Sequence, residues 1–136
     1  MNAKFVALAL AGALAACAQT DVQPLTQTSF MVSTRAAPAC GPTGARTVAN
    51  RAAAIEVVQR GGDRFVFGDS RSGSQLSGVT YSGWGGFQAH SVHNQDLLVQ
   101  MVEPGHPQYA DSFSAREILG PNWQEVISEG APTTCT

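Results

Sequence analysis

Lysine is almost missing from this chain. Lys4 stands alone in 136 residues, and charged side chains of every kind make up 13%, about half the ~25% of an ordinary globular protein. With a net charge of −2, nothing draws in a polyanion, and nucleic acid is excluded as a partner. A long apolar run is missing too. The stretch Phe5 to Ala16 falls short of the ~20 residues that a bilayer-spanning helix needs. Beyond residue 16 the cations are all arginine, seven against ten acids, for a net charge of −3. The guanidinium fork suits carboxylates and other anions. These seven are scattered along the chain, as a plain coding preference for Arg would leave them. The length is that of one domain with a modest core.

What is present begins with a secretion pattern. Asn2 and Lys4 give a short polar, positive start, and the apolar run that follows has the length of the hydrophobic region of a signal peptide. It closes on Leu14-Ala15-Ala16-Cys17, which resembles the lipobox of bacterial lipoproteins. In that family the Cys thiol receives a diacylglycerol, the chain is cut before it, and the new amino terminus is acylated, often with palmitate. The resemblance implies a signal peptide over 1–16 and lipidation of Cys17. Ala18 stands where an Asp would retain an enteric lipoprotein in the inner membrane, which implies an outer-membrane anchor facing the periplasm. The alternative is an ordinary secretory signal cut after Ala18, with Ala16 and Ala18 as the small residues at the cut. Residues 17–29 are polar, contain Pro24, and read as a tether. A single domain is expected over 30–136.

In an exported chain the three cysteines must be accounted for. With Cys17 lipidated or removed, Cys40 and Cys135 remain. An oxidising envelope predicts that they pair. Two thiols, or a metal pair completed by histidine, are the alternatives.

Along the domain, Ser29 to Arg35 places Phe30, Val32 and Thr34 on one face of a strand. A Pro- and Gly-containing loop around Cys40 follows. Thr43 is a candidate N-cap for a helix whose inner face is Ala45, Val48, Ala49, Ala52, Ile55 and Gln59, with Arg46, Asn50, Ala53 and Arg60 opposite. Gly61 and Gly62 end it. Asp63 to Gly68 reads as a short strand, 69–95 as a Gly/Ser-rich loop with a ragged strand near Val79 to Tyr81, and Leu97 to Val102 as a strong strand. Ser114 to Glu117 matches a capping box, and Pro121 starts a turn carrying Trp123, Val126 and Ile127. The expected fold class is α+β: a small, mostly antiparallel sheet with the Ala-rich helix packed on one face and short C-terminal helices.

Arg51-Ala52-Ala53-Ala54-Ile55-Glu56 followed by Gly62-Asp63-Arg64-Phe65-Val66-Phe67 resembles the domain of small proteobacterial envelope lipoproteins, to which no catalytic residues are assigned. A different chemistry is suggested by Phe65-Val66-Phe67-Gly68-Asp69-Ser70 and Glu103-Pro104-Gly105-His106-Pro107. These are similar to the nucleophile block and the Asp-x-x-His-Pro block of GDS-type esterases and lipases. That resemblance implies a hydrolase with Ser70 as nucleophile, His106 as general base and Glu103 orienting it. The chain departs from the family's pattern in three ways. Its two blocks lie much closer together, Glu replaces the usual Asp, and only Asn94 stands near as an oxyanion donor. A strand ending in a Gly-Asp-Ser turn explains the first block without chemistry.

His90, His93 and His106 are the only histidines. With Cys40 or Asp96, His90 and His93 would make an incomplete zinc set by spacing, and no metal or cofactor is expected. Ser82-Gly83-Trp84-Gly85-Gly86-Phe87 places two large aromatics among glycines. Trp84 and Phe87 are therefore candidates for contact with an envelope protein, peptidoglycan or the membrane surface, or else they cap the core. The sequence thus favours a lipid-anchored envelope protein that binds or assembles, with the small hydrolase as the alternative.

Overall fold

The computed structural model describes residues 17–82 and 86–135, and for 69–82 and 86–92 it describes the backbone. The fold is α+β. Five antiparallel strands form one sheet in the order β1-β2-β4-β3-β5. They are β1 (Ala18–Pro24), β2 (Ser29–Ala36), β3 (Arg64–Ser82), β4 (Gly86–Met101) and β5 (Phe113–Ser114). Helix α1 (Gly41–Gln59) lies on one face, and α2 (Ala115–Leu119) and α3 (Trp123–Glu129) pack beside it.

The period-two pattern of β2 places Phe30, Val32, Thr34 and Ala36 in the interior. Its partner β4 supplies Leu97 and Val99, and β3 supplies Phe65. Against them α1 sets Ala49, Ala52, Ala53, Ala54, Ile55 and Val57. Alanine brings the helix backbone close to the sheet, so the core is thin and densely filled. Ala53, expected on the outer face, is fully buried. Helix α2 covers that flank with Ala115 and Leu119, giving α1 two buried sides instead of one. The helix also begins at Gly41 rather than near Thr43, while Gly61, with φ +85°, follows its end as expected.

Two segments depart from the sequence reading. Residues 17–29 were expected to be a tether, but Ala18–Pro24 is strand β1, paired with β2 from Ala18↔Ala36 to Pro24↔Phe30. Its polarity is that of an edge strand covered on one side only: Ala18 is buried while Gln19, Asp21 and Gln23 are exposed. Pro24 fits because an edge position can forgo a backbone donor. Residues 69–95, expected to be mainly loop, contribute to a long hairpin. In it β3 and β4 pair from Phe65↔Met101 to Ser82↔Gly86, with register shifts between Phe67 and Ser70 and between Leu76 and Gly78. Gly68 stands at the first shift. A Cβ there would lie 2.9 Å from Leu98 Cδ2, so its absence lets the strands approach.

Polar side chains join the layers at the sheet end opposite the hairpin tip. Arg60, next after α1, donates from Nε to Glu56 Oε1 at 2.8 Å and from a terminal nitrogen to the Thr26 carbonyl at 3.2 Å, while its guanidinium lies 4.6 Å from the Phe30 ring centroid. The Asp63 carboxylate accepts from Ser114 Oγ at 2.9 Å and from the Arg116 N–H at 3.1 Å, and the Asp63 carbonyl accepts from the Ala115 N–H at 2.8 Å. The expected cap at Ser114 is present, with Oγ accepting from the Glu117 N–H at 3.4 Å.

Candidate functional site

The three cysteines gather at one end of the sheet. Cys17 precedes β1 directly. It is exposed, its carbonyl accepts from the Ala37 N–H at 3.0 Å, and its backbone forms an antiparallel bridge with Thr134. The next residue, Ala18, donates its N–H to the Thr133 carbonyl at 2.8 Å. The chain therefore enters the sheet at Cys17 without a linker, and the C-terminal segment lies beside that entry.

Cys40 and Cys135 form the expected disulfide, with Cα atoms 5.7 Å apart across a sequence separation of 95. It packs on a small cluster made of Ala18, Ala36, Ala45 and Val48. Gly44, one turn into α1, lies under it: a Cβ there would be 3.1 Å from Cys40 Cβ and 3.3 Å from Cys135 Cβ. The bridge fastens the C-terminal segment to the start of α1, in addition to the backbone contacts of Thr133 and Thr134 with the entry to β1. Because Cys40 is committed to the disulfide, it is withdrawn from any ligand set with His90, His93 or Asp96. Among the described residues no group of three or more His, Cys, Asp or Glu is placed to hold a metal ion.

An open cleft of ≈ 730 Å³ flanks the same end, with Gln19, Asp21, Ser33, Arg35 and Pro132 among its lining residues. It combines one acid, one guanidinium and neutral hydrogen-bonding groups with the apolar surfaces of Ala18, Ala131 and Pro132.

The esterase-like residues do not come together in the described backbone. Ser70 pairs with Leu97 in the middle of the sheet. Glu103 and His106 follow the end of β4 at Met101, in an exposed turn where the His106 N–H donates to the Glu103 carbonyl at 3.0 Å. His106 Nδ1 accepts from the Gln108 N–H at 3.2 Å. The strand from Leu97 to Met101 alone spans about 13 Å, beyond the hydrogen-bond reach a nucleophile needs from its base. Asn94 pairs with Arg35 and Gly73. Its Oδ1 is buried with no hydrogen-bond partner among the described residues, so the oxygen rather than a donor is what it leaves unsatisfied. Trp84 lies outside the described residues. Phe87 belongs to β4, its backbone paired with Tyr81, and its side chain is outside the described set.

Sequence reasoning passed over Asp63 and Arg60, whose partners are far away in the chain at 114–116 and at 26–27. No local pattern announces such contacts. Compared with known proteins, the chain matches no family model, and no curated protein and no solved structure matches it.

Proposed function

We propose that this chain is a bacterial lipoprotein, acylated at Cys17 and held in the outer membrane with its domain facing the periplasm, where it acts by binding or in envelope assembly. The observation that carries the reading is Leu14-Ala15-Ala16-Cys17 at the close of a signal-length apolar run. Two features support it. Cys17 is exposed and directly precedes strand β1, so the thiol proposed to carry the lipid stands next to the sheet. The Cys40–Cys135 disulfide suits an oxidising compartment. Trp84 and Phe87 are the residues proposed to touch a neighbour in the envelope. Acyl chains add ~0.8 kcal/mol per buried methylene, and several chains together make a firm anchor.

The test is intact-mass measurement of the membrane-extracted protein, paired with Cys17→Ser. The reading expects a mature chain that begins at Cys17 with added acyl mass, and a variant that leaves the membrane fraction. An unmodified amino terminus at another residue, on a product washed free of membranes, overturns it.

A further inference from the structure

The anchor and the hairpin point the same way. In the register, Ala18 aligns with Ala36, Ala36 with His93, and His93 with Ser74. That row is the last in which β1 and β2 take part. Beyond it β3 and β4 continue alone, from Gln75↔Val92 to Ser82↔Gly86, a projection of about 23 to 26 Å at ~3.3 Å per residue. This projection leaves the sheet at the same end as Cys17, Cys40 and Cys135. The segment is also electrically bare: residues 72–95 contain no Asp, Glu, Lys or Arg, and Val79, Tyr81 and Phe87 stand in its paired strands.

Resting on the lipoprotein reading, these facts bear on orientation. With Ala18 buried and hydrogen-bonded to Thr133, a lipid on Cys17 holds the domain against the bilayer with no slack. A hairpin that projects more than 20 Å past that level, measured by the strand rise, has two places to go. Driven straight down, it would carry the unpaired backbone groups of a two-stranded ribbon into hydrocarbon, where nothing satisfies them. Laid along the surface, it keeps those groups in the wet headgroup region, a zone that a sequence free of Asp, Glu, Lys and Arg from 72 to 95 and containing Tyr81 suits. The shift between Leu76 and Gly78 supplies a bend where a hairpin can turn to lie flat. We infer that the β3–β4 hairpin beyond this bend lies on the lipid surface as a second, non-covalent contact, with that part of its strands close to the membrane plane and the opposite end of the sheet held away from it.

The test uses the acylated protein in vesicles of phosphatidylethanolamine and phosphatidylglycerol that contain nitroxide-labelled lipid. A fluorophore is placed on Thr80→Cys or Gln88→Cys, and on Asp111→Cys at the opposite end of the sheet as reference. The expected result is quenching at 80 and 88 by headgroup-level nitroxide about twofold or more above that at 111, as for a segment at interfacial depth. Acylated, vesicle-bound protein with equal quenching at all three positions overturns the orientation and leaves the anchor standing. Absence of acyl mass overturns the anchor and the orientation together. Photocrosslinking at position 88 that captures an envelope protein, without lipid quenching, assigns the hairpin to a protein partner and overturns the inference as well.

Discussion

Reducing the Cys40–Cys135 bridge is the perturbation with the largest calculable effect on this domain. The two residues are 95 positions apart, so the bond closes the chain from the start of α1 onward into one loop, with β1 and β2 outside it. The chain-entropy relation for a loop of that size gives about 4.7 kcal/mol at 25 °C. The native side of the balance changes little on reduction, because the Ala18–Thr133 hydrogen bond and the Cys17–Thr134 bridge still hold the C-terminal segment beside β1. The effect therefore falls mainly on the unfolded ensemble. Domains of this size are stable by about 5–15 kcal/mol, so reduction removes a third or more of the total. With a urea slope of about 1–2 kcal/mol per molar, the unfolding midpoint should fall by about 2 to 5 M. Urea titrations followed by circular dichroism, with and without reductant, measure this directly. Cys40→Ala/Cys135→Ala should reproduce the reduced curve. A midpoint that moves by less than about 0.5 M would refute the reasoning, since the loop would then impose no constraint on the unfolded chain.

Other outcomes follow from the same packing. Asp63→Ala removes an acceptor from Ser114 and from the α2 amino end, and should cost about 1–2 kcal/mol in the same urea assay, with Asp63→Asn recovering part. Ala53→Leu forces a larger side chain between α1 and α2 and should cost about 1–3 kcal/mol; a neutral result would mean that α2 does not cover that flank. Gly44→Ala trades a helix-propensity gain of up to about 1 kcal/mol against crowding of the disulfide Cβ atoms, so no net stabilisation is expected, and a full gain would show that the bridge sits elsewhere. Ser70→Ala should leave ester hydrolysis by the purified domain unchanged at background; activity that disappears with this variant would restore the hydrolase reading.

The architecture was legible where residues repeat with a period. Phe30, Val32 and Thr34 announce β2, and Ala45, Val48, Ala49, Ala52 and Ile55 announce the inner face of α1, because burial on one side leaves a strict spacing. The capping box at Ser114 and the Gly61-Gly62 stop were readable for the same local reason. Strand β1 was not, because an edge strand with one covered face keeps a mostly polar sequence. The long hairpin was hidden by its composition: Gly and Ser within β3 carry low strand propensity, and its pairing comes from a partner strand. The disulfide was inferred by counting. The separation of Ser70 from His106 was not, since a motif gives spacing along the chain and the sheet register decides distance in space. Asp63 and Arg60 depend on contacts dozens of residues away, which one sequence does not display.

The bridge between Cys17 and Thr134 also has a mechanical consequence. A pull at Cys17 loads β1 from its first residue, the geometry in which antiparallel hydrogen bonds are peeled one after another rather than sheared together. The C-terminal strip crosses that starting point, and it is riveted by Cys135 to Cys40, the residue that caps the start of the long helix. Tension applied at Cys17 is thereby shared with the helix before the edge strand can unzip, and cutting the rivet should lower the rupture force more than any change in the middle of the sheet.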